Sequence, residues 1–290
     1  MRNRTTKASA ALAVLLAVAL TGCSDSTDEG KPVESEQPTA QSPQAAPAEP
    51  KPRTAAEFLA RAEEAMAGQK GWTFAVKGRE GLLLQGQENA ATYTATVRRT
   101  TGDPWALHST GTTLSKGVSK PEEIYVADGT AYVKKGTAAW EHGPVTDPEF
   151  ANKVEDPLAA LDAFRGYGDE VTAARPDGPD GQVELRVRTT TAPLTDVRNQ
   201  AVVQRALREL APTLRQLRAA GVAAPESEIA VEGVEESLVL DASTYRLTAH
   251  TFKCTFLIPY NGQRIRYDQE VTERTSGTYD GTVALPEGVG

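Results

Sequence analysis

From Trp72 to Arg274 the chain returns again and again to a period of two, and that restricts its fold more than any other feature. Trp72, Phe74 and Val76 alternate with Thr73, Ala75 and Lys77; Tyr93, Ala95 and Val97 alternate with Thr92, Thr94, Thr96 and Arg98; Trp105, Leu107 and Ser109 continue the pattern. The stretch "EEIYVADGTAYVKKGTAAW" sets two β-rich runs around Asp128-Gly129, a pair suited to the positive φ of a tight hairpin. Residues 182–190, 236–241, 244–258 and 263–274 read as further strands. Most carry Thr, Arg, Glu or Lys on alternate positions, the pattern of antiparallel strands with one wet face. About nine such strands must curl, split or close to hide their apolar side.

Helical spacing interrupts the series in three places. Thr54-Ala55-Ala56-Glu57 has capping-box spacing, and Phe58, Leu59, Ala62, Ala65 and Met66 follow at helical intervals, which predicts a helix of about 14 residues ending near Gly68 or Gly71. Asp156-Pro157 offers a cap and a first-turn proline before Leu158, Leu161 and Phe164. Residues 196–219 place Val203, Leu207, Leu210, Leu214 and Leu217 along one seam, with a kink or break expected at Pro212. Arg198, Arg205, Arg208, Arg215 and Arg218 share this helix. They read either as a contact for anionic lipid headgroups or as a solvated face with partners such as Glu209.

Chemical motifs are sparse. His108, His142 and His250 lie far apart with no Cys or His at ligand spacing, so neither a metal nor another cofactor is expected. No nucleophile elbow, phosphate loop or dinucleotide glycine pattern occurs, and no catalytic residue is assigned. Glu235-Glu236 with Asp241, and Asp169-Glu170, are read as solvated charges at strand ends and turns. "DGPDG" at 177–181 reads as a hairpin turn. Cys254 alternates onto one face with Phe252, Phe256 and Ile258 and reads as a small buried apolar residue.

The chain begins quite differently. Arg2, Arg4 and Lys7 precede the 13-residue apolar run "ASAALAVLLAVAL", which is short of the roughly 20 residues that span a bilayer and has the anatomy of a secretory signal. It ends in Leu20-Thr21-Gly22-Cys23, which looks like a bacterial lipobox. Residues 1–22 therefore read as a signal peptide, and Cys23 as the acceptor of a diacylglyceryl group that anchors the mature chain to the extracytoplasmic face of the cell membrane. Residues 23–53 read as the lipidated cysteine and a disordered linker: the segment 24–53 holds six prolines, no aromatic residue and one branched aliphatic, Val33. Without residues 1–22 the formal charge moves from −8 to −11, 28 basic against 39 acidic residues, which argues against nucleic acid. Residues 54–290 are long enough for one domain with a sizeable core.

The lipobox, the leash, the opening helix, the "IYVADGTAYVKKGTAAW" hairpin, "LVLDASTYRLTAHTF" and the closing "ALPEGV" together resemble actinobacterial lipoproteins of the LppX/LprG lipid-carrier type, whose fold is LolA-like. The resemblance covers most of residues 54–290. It implies an α+β domain, a curved antiparallel half-barrel with helices on its concave face, that is not an enzyme and encloses a site for a lipid or other hydrophobic ligand. The inward set for such a cavity is Trp72, Phe74, Val76, Tyr93, Val97, Leu107, Phe164, Leu207, Leu210, Leu214, Phe252 and Phe256. The 196–219 helix is long for this group and either lines the cavity or fills it. The other expectation is a solid sheet that serves as an envelope protein-interaction or sensing module.

Overall fold

The computed structural model describes residues 51–174 and 181–289, and the compact unit spans Pro50–Gly290. Cys23, the leader and the leash lie outside the described residues, as does most of "DGPDG".

Helix α1 (Ala55–Ala67) opens the domain, and its capping box forms: the Glu57 amide donates to the Thr54 hydroxyl while the Glu57 carboxylate accepts from the Thr54 amide. Strands β1 (Gly71–Leu84), β2 (Gln87–Thr100), β3 (Leu107–Ser115), β4 (Val118–Ala127), β5 (Thr130–Lys135) and β6 (Glu141–Pro144) follow as a meander. Four hairpins turn on Gln85-Gly86, Lys116-Gly117, Asp128-Gly129 and Asn261-Gly262, each with both φ angles positive, the conformation that matches the twist of paired strands. Trp105 stays outside β3; it lies under the Arg99 guanidinium in the loop before that strand.

Next come α2 (Pro148–Ala151), α3 (Ala159–Tyr167), β7 (Thr172–Ala174), β8 (Gln182–Thr189), β9 (Ala192–Pro193), α4 (Leu194–Val197) and α5 (Ala201–Ala219). Strands β10 (Ala230–Asp241), β11 (Leu247–Tyr260) and β12 (Gln263–Thr278) complete one open, curved antiparallel sheet in the order β6-β5-β4-β3-β2-β1-β12-β11-β10-β8-β7, with β9 beside β10. The closing pair β1·β12 brings the first and last strands together at the sheet's centre.

Helix α3 packs against both α1 and α5, and α5 lies over β8 and β10. Phe74, Val76, Val97, Leu107, Phe252 and Phe256 form one core with Leu59, Met66, Phe164 and Leu210 from the helices. Among the described residues, no helix is long and apolar enough to cross a membrane.

The long helical segment differs from its expected form in two ways. The backbone breaks at Gln200, which is extended, so 194–197 form a separate turn; α5 then runs on through Pro212. A proline removes one amide donor, and here the flanking Leu210 and Thr213 are buried deeply enough to hold the helix in place. The buried face is Val202, Val203, Ala206, Leu210 and Thr213, with Leu207, Leu214 and Leu217 at its margin. Ala206 and Thr213 are small, so the helix axis approaches the sheet and the leucines straddle the contact.

Candidate functional site

The helices cover only half of the concave face. Over β1–β5 the inward side chains meet an open groove of about 270 Å³, floored by Gly78 and Glu80 of β1, Ala91 and Tyr93 of β2, Thr113 of β3, Glu122 of β4 and Lys135 of β5. Gln269 and Val271 of β12 continue the floor, Glu209 and Pro212 of α5 form one wall, and Asn152, Lys153 and Glu155 form the other. Tyr93 can lie across β3 because residue 111 is glycine: a Cβ there would sit 2.8 Å from the ring. The Tyr93 hydroxyl is 3.4 Å from Ser109 Oγ, and burial pushes its pKa up to about 12.

Most charges around the groove are paired. Lys135 Nζ reaches Glu122 at 2.8 Å, Lys153 Nζ reaches Glu141 at 3.1 Å, and the Thr213 hydroxyl donates to Glu80 at 2.7 Å. Gln269 Nε2 donates to Glu209 at 3.4 Å. The wall segment is pinned at its end, where the Arg99 guanidinium forms an ion pair with Asp156, Nε lying 2.6 Å from Oδ1, and the Leu158 amide donates to the same oxygen. Glu155 also borders a second niche of about 270 Å³, lined by Arg205, Arg208 and Glu273, so its carboxyl stands in the partition between groove and niche. Burial, followed by the neighbouring Glu273 and Glu209 carboxylates, pushes Glu155 up to about 8.

Behind that partition lies a buried ion network. His250 Nδ1 is 2.6 Å from Glu273 and Nε2 is 2.9 Å from Glu236, while the Tyr167 hydroxyl donates to Glu236 at 2.6 Å and Arg205 pairs with the same carboxylate. Burial opposes charge on the imidazole, but the two carboxylates prevail and its pKa rises to about 9. Charged, His250 donates from both nitrogens and bridges β10 and β12 from β11. The Arg205 guanidinium also covers the Phe252 ring at 4.8 Å. The network therefore clamps α5 to the sheet.

This corrects the reading of Glu236 as a solvated charge: its side chain is 0% exposed. Glu235 does face outward, 3.9 Å from Arg186, and Asp241 organises a turn by accepting from Ser243 and Thr244, which lowers its pKa to about 2. Arg205 departs from the solvated arginine face, whereas Arg208, Arg215 and Arg218 are exposed.

Of the twelve inward residues chosen from sequence, Tyr93 lines the groove and Phe164 lines a separate surface pocket beside α1. Trp72, Phe74, Val76, Val97, Leu107, Leu210, Phe252 and Phe256 are sealed in the core; Leu207 and Leu214 flank it. Cys254 is buried and free, and its thiol is pushed up by burial. Among the described residues, no cluster of His, Cys, Asp or Glu is placed to hold a metal ion.

The polar groove residues Glu80, Glu122, Glu155 and Gln269 were missed. Two of them had a readable signal: Glu80 follows Phe74, Val76 and Gly78 at steps of two, and Glu122 precedes Ile124 and Val126 in the same way. A charge at an inward position of a strand marks either an ion network or an opening.

No protein-family description and no curated protein matches the chain. Similar solved structures include LprF from Mycobacterium bovis, at 15% identity over 79% of this chain and 95% of that one, with a TM-score of 0.34. A putative outer membrane lipoprotein-sorting protein domain from Vibrio parahaemolyticus is 12% identical over 79% and 94%, TM-score 0.27. A DUF1329 family protein from Desulfovibrio piger is 8% identical over 80% and 96%, TM-score 0.29.

Proposed function

We propose that the chain is an extracytoplasmic lipoprotein, cut before Cys23 and held to the cell membrane by a diacylglyceryl group on that residue, whose domain binds an amphipathic ligand in the groove. The observation that carries this reading is the half-covered concave face. Sheet and α5 enclose a cleft in which Ala91, Tyr93, Pro212 and Val271 offer apolar surface, and Glu80, Glu122, Lys135 and Lys153 offer a polar end. Its volume of about 270 Å³ lies near the lower end of ligand sites, roughly 300–1,000 Å³. That size suits one chain of an amphiphile with a polar head. A larger lipid would need α5 to lift, and the sealed aromatic set would then become the wall it meets. The reading is a binding one without a catalytic step.

The tight packing of the core favours a second reading, the solid interaction module, in which the same groove receives a segment of an envelope protein. Native mass spectrometry of the chain extracted from its own membranes separates the two: bound amphiphile supports the first, and lipid-free protein with a crosslinked partner supports the second. Titration with a fluorescent fatty acid localises the site. Thr113→Trp fills the groove from a strand position that tolerates aromatics, and the expected result is binding weaker by about tenfold at unchanged melting temperature. Equal binding by the variant would overturn the assignment of the groove.

A further inference from the structure

The strand registers place three hairpin turns on one rim of the sheet. Leu83 pairs with Glu88 on β2 and with Arg266 on β12, Ala91 pairs with Ser115, and Ser115 pairs with Val118, so the turns at Gln85-Gly86, Lys116-Gly117 and Asn261-Gly262 project the same way. The end of α5 arrives there too, since Gly221 and Ala223 share a surface depression with Pro259–Arg264. Glu80, on the groove floor, is followed on β1 at steps of two by Leu82 and Leu84 at the rim end of that strand.

Two large apolar side chains stand out as exposed among the described residues, Leu114 at 47% and Val118 at 56%, and both flank the Lys116-Gly117 turn. Leu82, Leu83 and Leu84, at the end of β1 on the same rim, are half-buried. Lys116, Lys120, Arg215, Arg218 and Arg264 are exposed around the same rim, and none forms an ion pair within 4.0 Å among the described residues. The acids there are fewer and mostly paired: Glu88 pairs with Arg79, and Glu232 and Asp268 share Arg266, which leaves one negative charge there besides Glu228.

We propose that this rim is a docking surface for an anionic lipid bilayer, with the hairpin-tip side chains Leu114 and Val118 entering the interface and the five cations reading the headgroups. Charge complementarity selects this occupant. The chain as a whole is acidic, at −8, so an anionic membrane repels most of its surface and attracts this rim, which orients the domain. Apolar tips ringed by cations match the depth profile of an interface, acyl boundary inside and phosphate layer outside. The proposal needs no ligand in the groove and no anchor at Cys23.

The test uses the chain from Ser24 to Gly290, which retains the whole compact unit and lacks the anchor cysteine. Sedimentation with vesicles of phosphatidylcholine plus phosphatidylglycerol is compared with phosphatidylcholine alone. Binding is expected only with the anionic lipid and should weaken as salt is raised. Arg215→Glu with Arg218→Glu should lower partitioning by at least ~30-fold, about fivefold for each cation removed. Lys77→Glu with Arg188→Glu makes the same charge change at exposed positions on other strands and should cost far less. Leu114→Ser with Val118→Ser should also release the chain, and Leu114→Trp should shift its fluorescence to the blue on anionic vesicles. Melting temperatures establish that each variant is folded. Absence of binding, or equal losses in the two charge-reversed pairs, would overturn the proposal.

Discussion

Strands β8 and β10–β12 with the start of β1, and strands β2–β5 with the end of β1, belong to one sheet and share one alternation, yet they meet different surroundings. The first group lies under the helices and, apart from Gln269 and Val271 of β12, which reach the groove, its inward residues are aromatic, aliphatic or locked into the His250 network. The second turns Tyr93, Thr113, Glu122 and Lys135 to an open groove. Strand pairing supplies the backbone hydrogen bonds equally in both. What differs is whether a helix arrives: the flank of α5 at Glu209 and Pro212 is one wall of the groove, and Asn152, Lys153 and Glu155 form the other.

The sharpest way to break the comparison is to truncate one ring in each half. Phe252→Ala removes a fully buried ring and the surface that Arg205 covers; it should cost about 5 kcal/mol, the upper part of the range for such deletions. Tyr93→Ala removes a ring with one face already in the groove, and about 1–2 kcal/mol is expected because water enters where the ring stood. Urea unfolding of the two variants checks the difference. Equal losses would mean that the groove half is as sealed as the other.

A charge comparison follows at somewhat smaller size. Glu236→Gln leaves Arg205 and His250 facing each other without their shared carboxylate; buried charges deprived of a partner make this worth about 3 kcal/mol. Glu122→Gln breaks a pair whose lysine is 56% exposed, so a loss within ~1 kcal/mol is expected. Denaturant midpoints for the two, with unchanged slopes, are the measurement.

The two halves were unequally legible in the sequence. Period-two alternation located the long strands of both, the capping box placed α1, and Asp128-Gly129 marked one of four hairpins. Gln85-Gly86 and Lys116-Gly117 turn in the same way, but their first residues are not turn formers, so the strand register had to impose the positive φ. The network was hidden because its members come from three strands and two helices. Each of Glu236, His250 and Glu273 nevertheless sits at an inward position, as in Val234, Glu236, Leu238 and Leu240. The groove was hidden for a different reason. It is bounded by the flank of α5 at Glu209 and Pro212, and a leucine count along 196–219 reveals a seam without revealing what the seam faces.

Titration sharpens the comparison in the smallest steps, about 1.4 kcal/mol per pH unit for each group, through two groups whose pKa the fold raises, His250 in the sealed half and Glu155 in the partition. The pKa of His250 is about 9 in the fold and about 6.5 in an unfolded chain. A raised pKa stabilises the fold fully below 6.5, and that contribution is lost as pH rises through 9, which amounts to about 3 kcal/mol over the whole window. Glu155 acts in the same direction over a lower window. Its carboxyl keeps its proton up to about 8 in the fold, whereas the unfolded chain releases it near 4.3, so each pH unit between these values favours unfolding. Asp241, lowered to about 2, gains or loses its effect only in acid, outside this range. Stability should therefore fall steadily from pH 6 to 9, and thermal melts across that range give the slope. His250→Gln and Glu155→Gln should each flatten it. Hydrogen exchange adds the spatial readout: at pH 9 protection should drop first in α5 and in the segment around Glu155, where new negative charge enters the partition, while β2–β4 keep theirs. A flat profile, or loss beginning in β2–β4, would show that the ion network does not hold the helices down, and the contrast between the halves would then rest on apolar packing alone.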